Sequence, residues 1–136
     1  MKLHPRLAAD TGAIGETRDF WLRWMNDRRF PWVIVIPRRE GVVAMHELEP
    51  GFQRVLMDGV NGCAGCLEEI TGADRINVGV LGNQVPQLHV HVVARFRDDP
   101  CWPGPVWGNG TPRPYNEGEL PSWLQGLREG ISDLFR

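Results

Sequence analysis

The densest chemistry in the chain lies in Gln87-Leu88-His89-Val90-His91. On a strand, residues two apart share a face and lie roughly 6.5–7 Å from one another. Gln87, His89 and His91 then stand in a row on one face, with Leu88, Val90, Val92 and Ala94 on the other. A core histidine usually comes alone and on the apolar side. Two on the polar side, beside a loop carrying Asn83 and Gln84, form a group that suits a phosphate. A neutral imidazole is a nucleophile near neutral pH because its pKa is about 6.5. Amide and imidazole N–H groups can hold phosphoryl oxygens and stabilise developing charge. The turn at Gly82 can add backbone N–H groups, and the preceding strand should bring Asn77 to the same face. The plainer alternative is a solvated polar face with two incidental histidines.

Other chemistries are less well provided for. A metal site of the cupin kind wants a carboxylate soon after the His89/His91 pair, and residues 92–96 contain none. An amidohydrolase wants a barrel, for which 136 residues are too few. No metal and no other cofactor is expected. Cys63-Ala64-Gly65-Cys66 invites a thiol-redox or zinc reading, but there is no second pair and no histidine at finger-like spacing. Both cysteines fall on or beside an apolar stripe, so packing is the expected role. His4 and His46 have no partners in sequence and read as surface or capping residues. Trp102 and Trp107 sit in a Pro/Gly-rich loop, where they could stack on a base, cover a dimer partner, or pack on their own loop.

The elements that must position these groups follow from patterning. Phe20 to Met25 and Trp32 to Ile36 are strand-like, joined by turn residues Asn26-Asp27-Arg28-Arg29 and ended by Pro37. From Phe52, apolar positions recur through Val55, Leu56, Val60, Cys63, Leu67 and Ile70 at helical spacing. Pro50 suits the first turn of that helix and Gly72 its end. Gly59, Gly62 and Gly65 oppose it at about 1 kcal/mol each. Residues 75–81 and 87–96 alternate as two more strands around an 82–86 loop, 98–114 is irregular, and Ser122 is placed to cap a last helix carrying Trp123, Leu124, Leu127, Ile131, Leu134 and Phe135. Hairpin, helix, hairpin, helix makes an α+β domain whose antiparallel sheet is covered on one face by the long helix.

Composition bounds the rest. One domain spanning 1–136 is expected, with 42% hydrophobic and 24% charged residues. A net charge of −2 with mixed signs excludes a backbone binder of nucleic-acid polymers but leaves a small anionic ligand open. No apolar run approaches the roughly 18 residues of a membrane span. Three cysteines and no secretion signal point to a reducing, cytoplasmic setting.

Residues 77–95 resemble the signature of the histidine triad (HIT) superfamily, whose core is His-φ-His-φ-His-φ-φ with φ apolar. The segment from Trp24 through Pro37 resembles that family's first hairpin, and residues 97–108 are similar to a bacterial branch labelled diadenosine tetraphosphate hydrolase-like. The resemblance implies a sheet of about five strands packed by one long helix and a C-terminal helix, and a homodimer. It also implies a nucleotide substrate cleaved at its α-phosphorus through a nucleotidyl-enzyme. His89 matches the nucleophile, oriented by a backbone carbonyl that would be that of His91. His91 matches the residue that binds phosphate and assists the leaving group. Asn77, Asn83 and Gln84 match phosphate-holding positions, and Asn26 the ribose-holding one. Trp24 is close enough to Asn26 to flank the base, with ordinary core packing as the equal alternative. The first triad histidine is replaced by Gln87, which keeps a phosphate-facing place on strand geometry but cannot titrate. A nucleotide-binding module with little catalysis is the competing reading, and a thiol-redox or metal protein using Cys63 and Cys66 a third.

Overall fold

The computed structural model describes residues 1–133. Leu134 and Phe135, assigned above to the last helix, lie outside the described residues. The chain runs α1 (Pro5–Asp10), β1 (Thr11–Glu16), β2 (Phe20–Met25), β3 (Trp32–Pro37), a 3₁₀ turn (Met45–Glu47), α2 (Pro50–Thr71), β4 (Arg75–Gly79), β5 (Val90–Arg95) and α3 (Leu124–Ile131). The strands form one antiparallel sheet in the order β1-β2-β3-β5-β4. This is the expected α+β architecture of five strands, a long helix and a C-terminal helix.

The long helix forms despite its glycines because its apolar face is continuous. Phe52, Leu56, Val60, Cys63 and Leu67 are all buried. Gly72 ends it in the left-handed region at φ 68°, donating its N–H to the Glu68 carbonyl. α2 and α3 pack on one sheet face, against Leu22, Val33, Val35, Leu88, Val90, Val92 and Ala94. By area, burying one such side chain stabilises the fold by about 1.5–3 kcal/mol.

The opposite face departs from expectation. It carries a second, smaller core of Leu7, Phe30, Trp32, Ile34, Ile36, Val85, Val93 and Val106. Every position of β3 and β5 is buried. The sheet is therefore covered on both sides, by helices on one and by the N-terminal segment and the long C-terminal loop on the other. The unbroken run Trp32-Val33-Ile34-Val35-Ile36 is the pattern of a strand buried on both faces.

Besides the 3₁₀ turn, two elements were not expected. β1 is diluted by Gly12, Ala13 and Gly15, bulges between Ala13 and Gly15, and buries only Thr11 and Ile14. α1 has six residues, with Pro5 in its first turn and the His4 Nδ1 accepting from the Arg6 N–H, so His4 is a capping residue. Boundaries also move. β4 ends at Gly79, β5 begins at Val90 rather than 87, and α3 is N-capped by Trp123, with no side-chain cap from Ser122.

Candidate active site

β5 lies between β3 and β4, with His91 opposite Ile34 on one side and Gly79 on the other. Alternation places His89, His91, Val93 and Arg95 on the face of the smaller core. His89 and His91 are both buried, at 7% and 6% exposure, so the plain solvated face is excluded. Their ring centroids are 5.0 Å apart.

Each ring is fixed by one hydrogen bond, and the two bonds select opposite tautomers. His89 Nδ1 lies 2.7 Å from the Gln87 carbonyl oxygen. A carbonyl only accepts, so Nδ1 carries the proton and the neutral ring keeps its lone pair on Nε2. The carbonyl is that of Gln87, not of His91 as the resemblance implied. His91 Nδ1 accepts from Trp32 Nε1 at 3.0 Å, which places the His91 proton on Nε2. Burial, helped by the neighbouring His89, pushes the His91 pKa down to about 3. In its neutral form the His89 ring thus offers a nucleophilic nitrogen, and His91 a neutral N–H donor.

Both rings line a cleft of about 760 Å³. Asn83 and Gln84 stand on one wall, Asn26, Asp27 and Arg29 from the β2–β3 turn on another, and Leu7 and Asp10 of α1 on a third. Trp107 closes the inner end, edge-on to His91 at 5.6 Å and to Trp32 at 6.3 Å. Gly79 makes room for it: a Cβ there would lie 2.7 Å from the Trp107 ring. Trp107 is thus part of the wall rather than an external contact.

The other expected residues fall differently. Asn26 lines the cleft, but its Oδ1 accepts the Tyr115 N–H at 2.8 Å, leaving Nδ2 to face a ligand. Trp24 is on the opposite sheet face, packed on the larger core and edge-on to Tyr115, so it does not flank the cleft. Asn77 shares the histidine face by register but lies outside the cleft, its Oδ1 accepting from Arg95 at 2.9 Å. Gln87 precedes β5 and its amide turns to the N-terminal segment, accepting the His4 N–H and donating to the Lys2 carbonyl, away from the cleft.

Sequence reasoning missed Trp32, Asp27, Arg29 and α1. Asp27 and Arg29 form a buried pair at 2.8 Å, and Asp27 Oδ1 also accepts the Arg29 and Arg113 N–H groups. Their signal was two opposite charges two residues apart inside a turn, which reads equally well as solvated. A second buried pair, Arg95 with Asp99 at 2.8 Å, supports the tryptophan loop. Burial alone would raise the Asp99 pKa. The Arg95 hydrogen bonds and the N–H groups of Phe96, Cys101 and Trp102 outweigh it and hold the carboxyl at about 2.

The cysteines of the C-x-x-C segment are packing residues. Burial, reinforced by Cys66, pushes the Cys63 thiol up to about 12, and burial also raises Cys66, which lies against Leu127 and Gly130 of α3. Among the described residues no group of three or more His, Cys, Asp or Glu could hold a metal ion, and no helix is long and apolar enough to cross a membrane.

The chain is similar to several solved structures. A histidine triad protein from Sinorhizobium meliloti 1021 is 44% identical, with a TM-score of 0.90 over 95% of this chain and 96% of the other. One from Bradyrhizobium japonicum is 38% identical, with a TM-score of 0.90 over 96% and 97%. One from Marinobacter aquaeolei VT8 is 40% identical, with a TM-score of 0.85 over 98% and 95%. No curated protein matches. The HIT domain matches residues 6–98, which hold both histidines and most of the cleft, and the chain therefore belongs to the histidine triad family.

Proposed function

We propose that the protein is a nucleotide phosphohydrolase or nucleotidyl transferase that cleaves at the α-phosphate through a His89–nucleotidyl intermediate. The carrying observation is the pair of opposite tautomers, a lone pair on His89 Nε2 beside a proton on His91 Nε2. His89 Nε2 forms the bond to phosphorus as the bond to the leaving group breaks, and the proton stays on Nδ1, hydrogen-bonded to the Gln87 carbonyl. His91 donates a hydrogen bond where negative charge gathers. Water then attacks phosphorus and gives up a proton to solvent, the P–N bond breaks, and the nucleoside monophosphate leaves as the neutral imidazole returns. Asn83 and Gln84 hold phosphoryl oxygens and Asn26 Nδ2 the ribose.

Dinucleoside polyphosphates, including the diadenosine tetraphosphate of the branch resembled above, share this α-phosphate with nucleoside phosphoramidates and nucleotide sugars. A panel of the three, read by release of nucleoside monophosphate, tests the activity and ranks the substrates. His89→Ala should abolish turnover while leaving adenosine monophosphate binding largely intact, since it removes bond-making and not the pocket. Turnover within about tenfold of wild type would remove His89 from the mechanism.

The reading includes a homodimer. β4 is an edge strand of the sheet, and Val78, Val80 and Leu81 are exposed on or just beyond it. An open apolar edge favours pairing with a second copy. A monomer by light scattering at micromolar concentration would count against it.

A further inference from the structure

The Gln87 side chain takes no part in the chemistry just described, yet both ends of its amide are engaged. Oε1 accepts the His4 N–H at 2.7 Å and Nε2 donates to the Lys2 carbonyl at 3.2 Å. One amide thus pairs with both polarities of a passing main chain, as a neighbouring strand would. The segment it holds leads directly into α1, where the His4 Nδ1 caps Arg6 and Leu7 is buried beside Val85 in the smaller core. Leu7, Ala9 and Asp10 line the cleft.

A six-residue helix cannot hold itself in place. Its C-terminal end runs at once into β1 and is fixed by the sheet ladder. Its N-terminal end is tied across more than eighty residues of sequence by Gln87. The carbonyl of the same residue accepts the His89 Nδ1 proton. Gln87 therefore joins the wall of the cleft to the nucleophile. An imidazole here would do this poorly. Its two nitrogens diverge around the ring, whereas the amide oxygen and nitrogen sit side by side on one carbon.

We propose that Gln87 is a positioning residue that clamps residues 2–10 as a wall of the nucleotide cleft and sets that wall's distance from His89. This rests on the nucleotide reading above. Replacing the first triad histidine by glutamine then moves the position from phosphate contact to construction of the pocket.

The test combines Gln87→Ala, Gln87→Glu and Gln87→His with amide hydrogen exchange, calorimetric binding of adenosine monophosphate, and steady-state kinetics on a nucleoside phosphoramidate. In Gln87→Ala, exchange across residues 4–8 should accelerate about tenfold or more while β5 keeps its protection. KM and the adenosine monophosphate Kd should rise about tenfold, with kcat down less than about threefold. Gln87→Glu keeps the acceptor for the His4 N–H and should recover part of both effects. Gln87→His should loosen the segment as Gln87→Ala does. Unchanged exchange in Gln87→Ala would overturn the clamp. So would faster exchange with unchanged KM and Kd, since the wall would then be irrelevant to the ligand. A Gln87→His variant at least about a hundredfold faster in kcat, with the segment still protected, would return the position to the chemistry. If the wild type neither binds nor turns over nucleotides, the nucleotide reading falls, and exchange alone still decides whether Gln87 clamps the segment.

Discussion

His91 pairs its proposed place in the chemistry with a structural cost. A second proton is excluded by burial and by His89, so its pKa falls to about 3 from an ordinary value near 6.5. Between those values the unfolded chain binds a proton that the native protein does not. His91 therefore leaves stability intact above about pH 6.5 and erodes it as pH falls toward about 3. Asp99 acts in a separate window, since a carboxyl held at about 2 withdraws its contribution only as pH falls below its ordinary 3.8. Unfolding free energies by urea should thus fall more steeply from about pH 7 to about pH 4 in wild type than in His91→Asn. Parallel curves would show that His91 titrates normally. Both histidines were legible in sequence, because two imidazoles on alternate positions beside an amide loop are an uncommon grouping. Their partners were not. The Trp32 indole reaches His91 only through the β3–β5 register, and no local pattern records which strand will be the neighbour.

At the scale of elements, strong periodicity was readable and weak periodicity was not. α2 and the β2–β3 hairpin follow from their apolar spacing. β1, with two glycines and two buried residues, gives almost no alternation to read. Gln87 departs from its expected place for a related reason. The alternation of residues 87–91 continues past the end of the ladder, which begins at Val90, so strand geometry does not govern the amide. Gly79 shows how one position on β4 shapes the site. Gly79→Ala should cost about 1–3 kcal/mol and lower turnover, by forcing the Trp107 ring off His91. Gly65→Ala in α2, where a new Cβ meets nothing within 4 Å, should instead stabilise by up to about 1 kcal/mol. Thermal melting of the two variants checks both signs. Equal effects would mean that the close approach at Gly79 is not enforced.

Over the whole molecule, charge is balanced locally as well as in total. The chain carries −2, and the two arginines lining the cleft are each paired, Arg29 with Asp27 at 2.8 Å and Arg6 with Asp10 at 3.6 Å. A substrate with one phosphate needs no more than the N–H donors already described. A polyphosphate chain brings several negative charges that no unpaired arginine in the cleft answers. Cleavage of a dinucleoside polyphosphate should therefore depend on added magnesium, while cleavage of a phosphoramidate should survive chelation by EDTA. Equal sensitivity of the two would show that the arginines leave their aspartates to meet substrate. The class of the fold was legible at this scale, as an α+β domain. The second core was not, because it is assembled from Leu7, Val85 and Val106, which lie far apart in the chain and join only around β3 and β5.

The Trp32–His91–Trp107 stack has an optical consequence. His91 stands edge-on to both indoles at 5.6 Å, so the emission of Trp32 and Trp107 should respond to whatever lies against that ring. On the nucleotide reading, titration with adenosine monophosphate should therefore change the protein's own ultraviolet fluorescence without any attached dye, and the rings of the inner wall would make the cleft a sensor of its own occupancy.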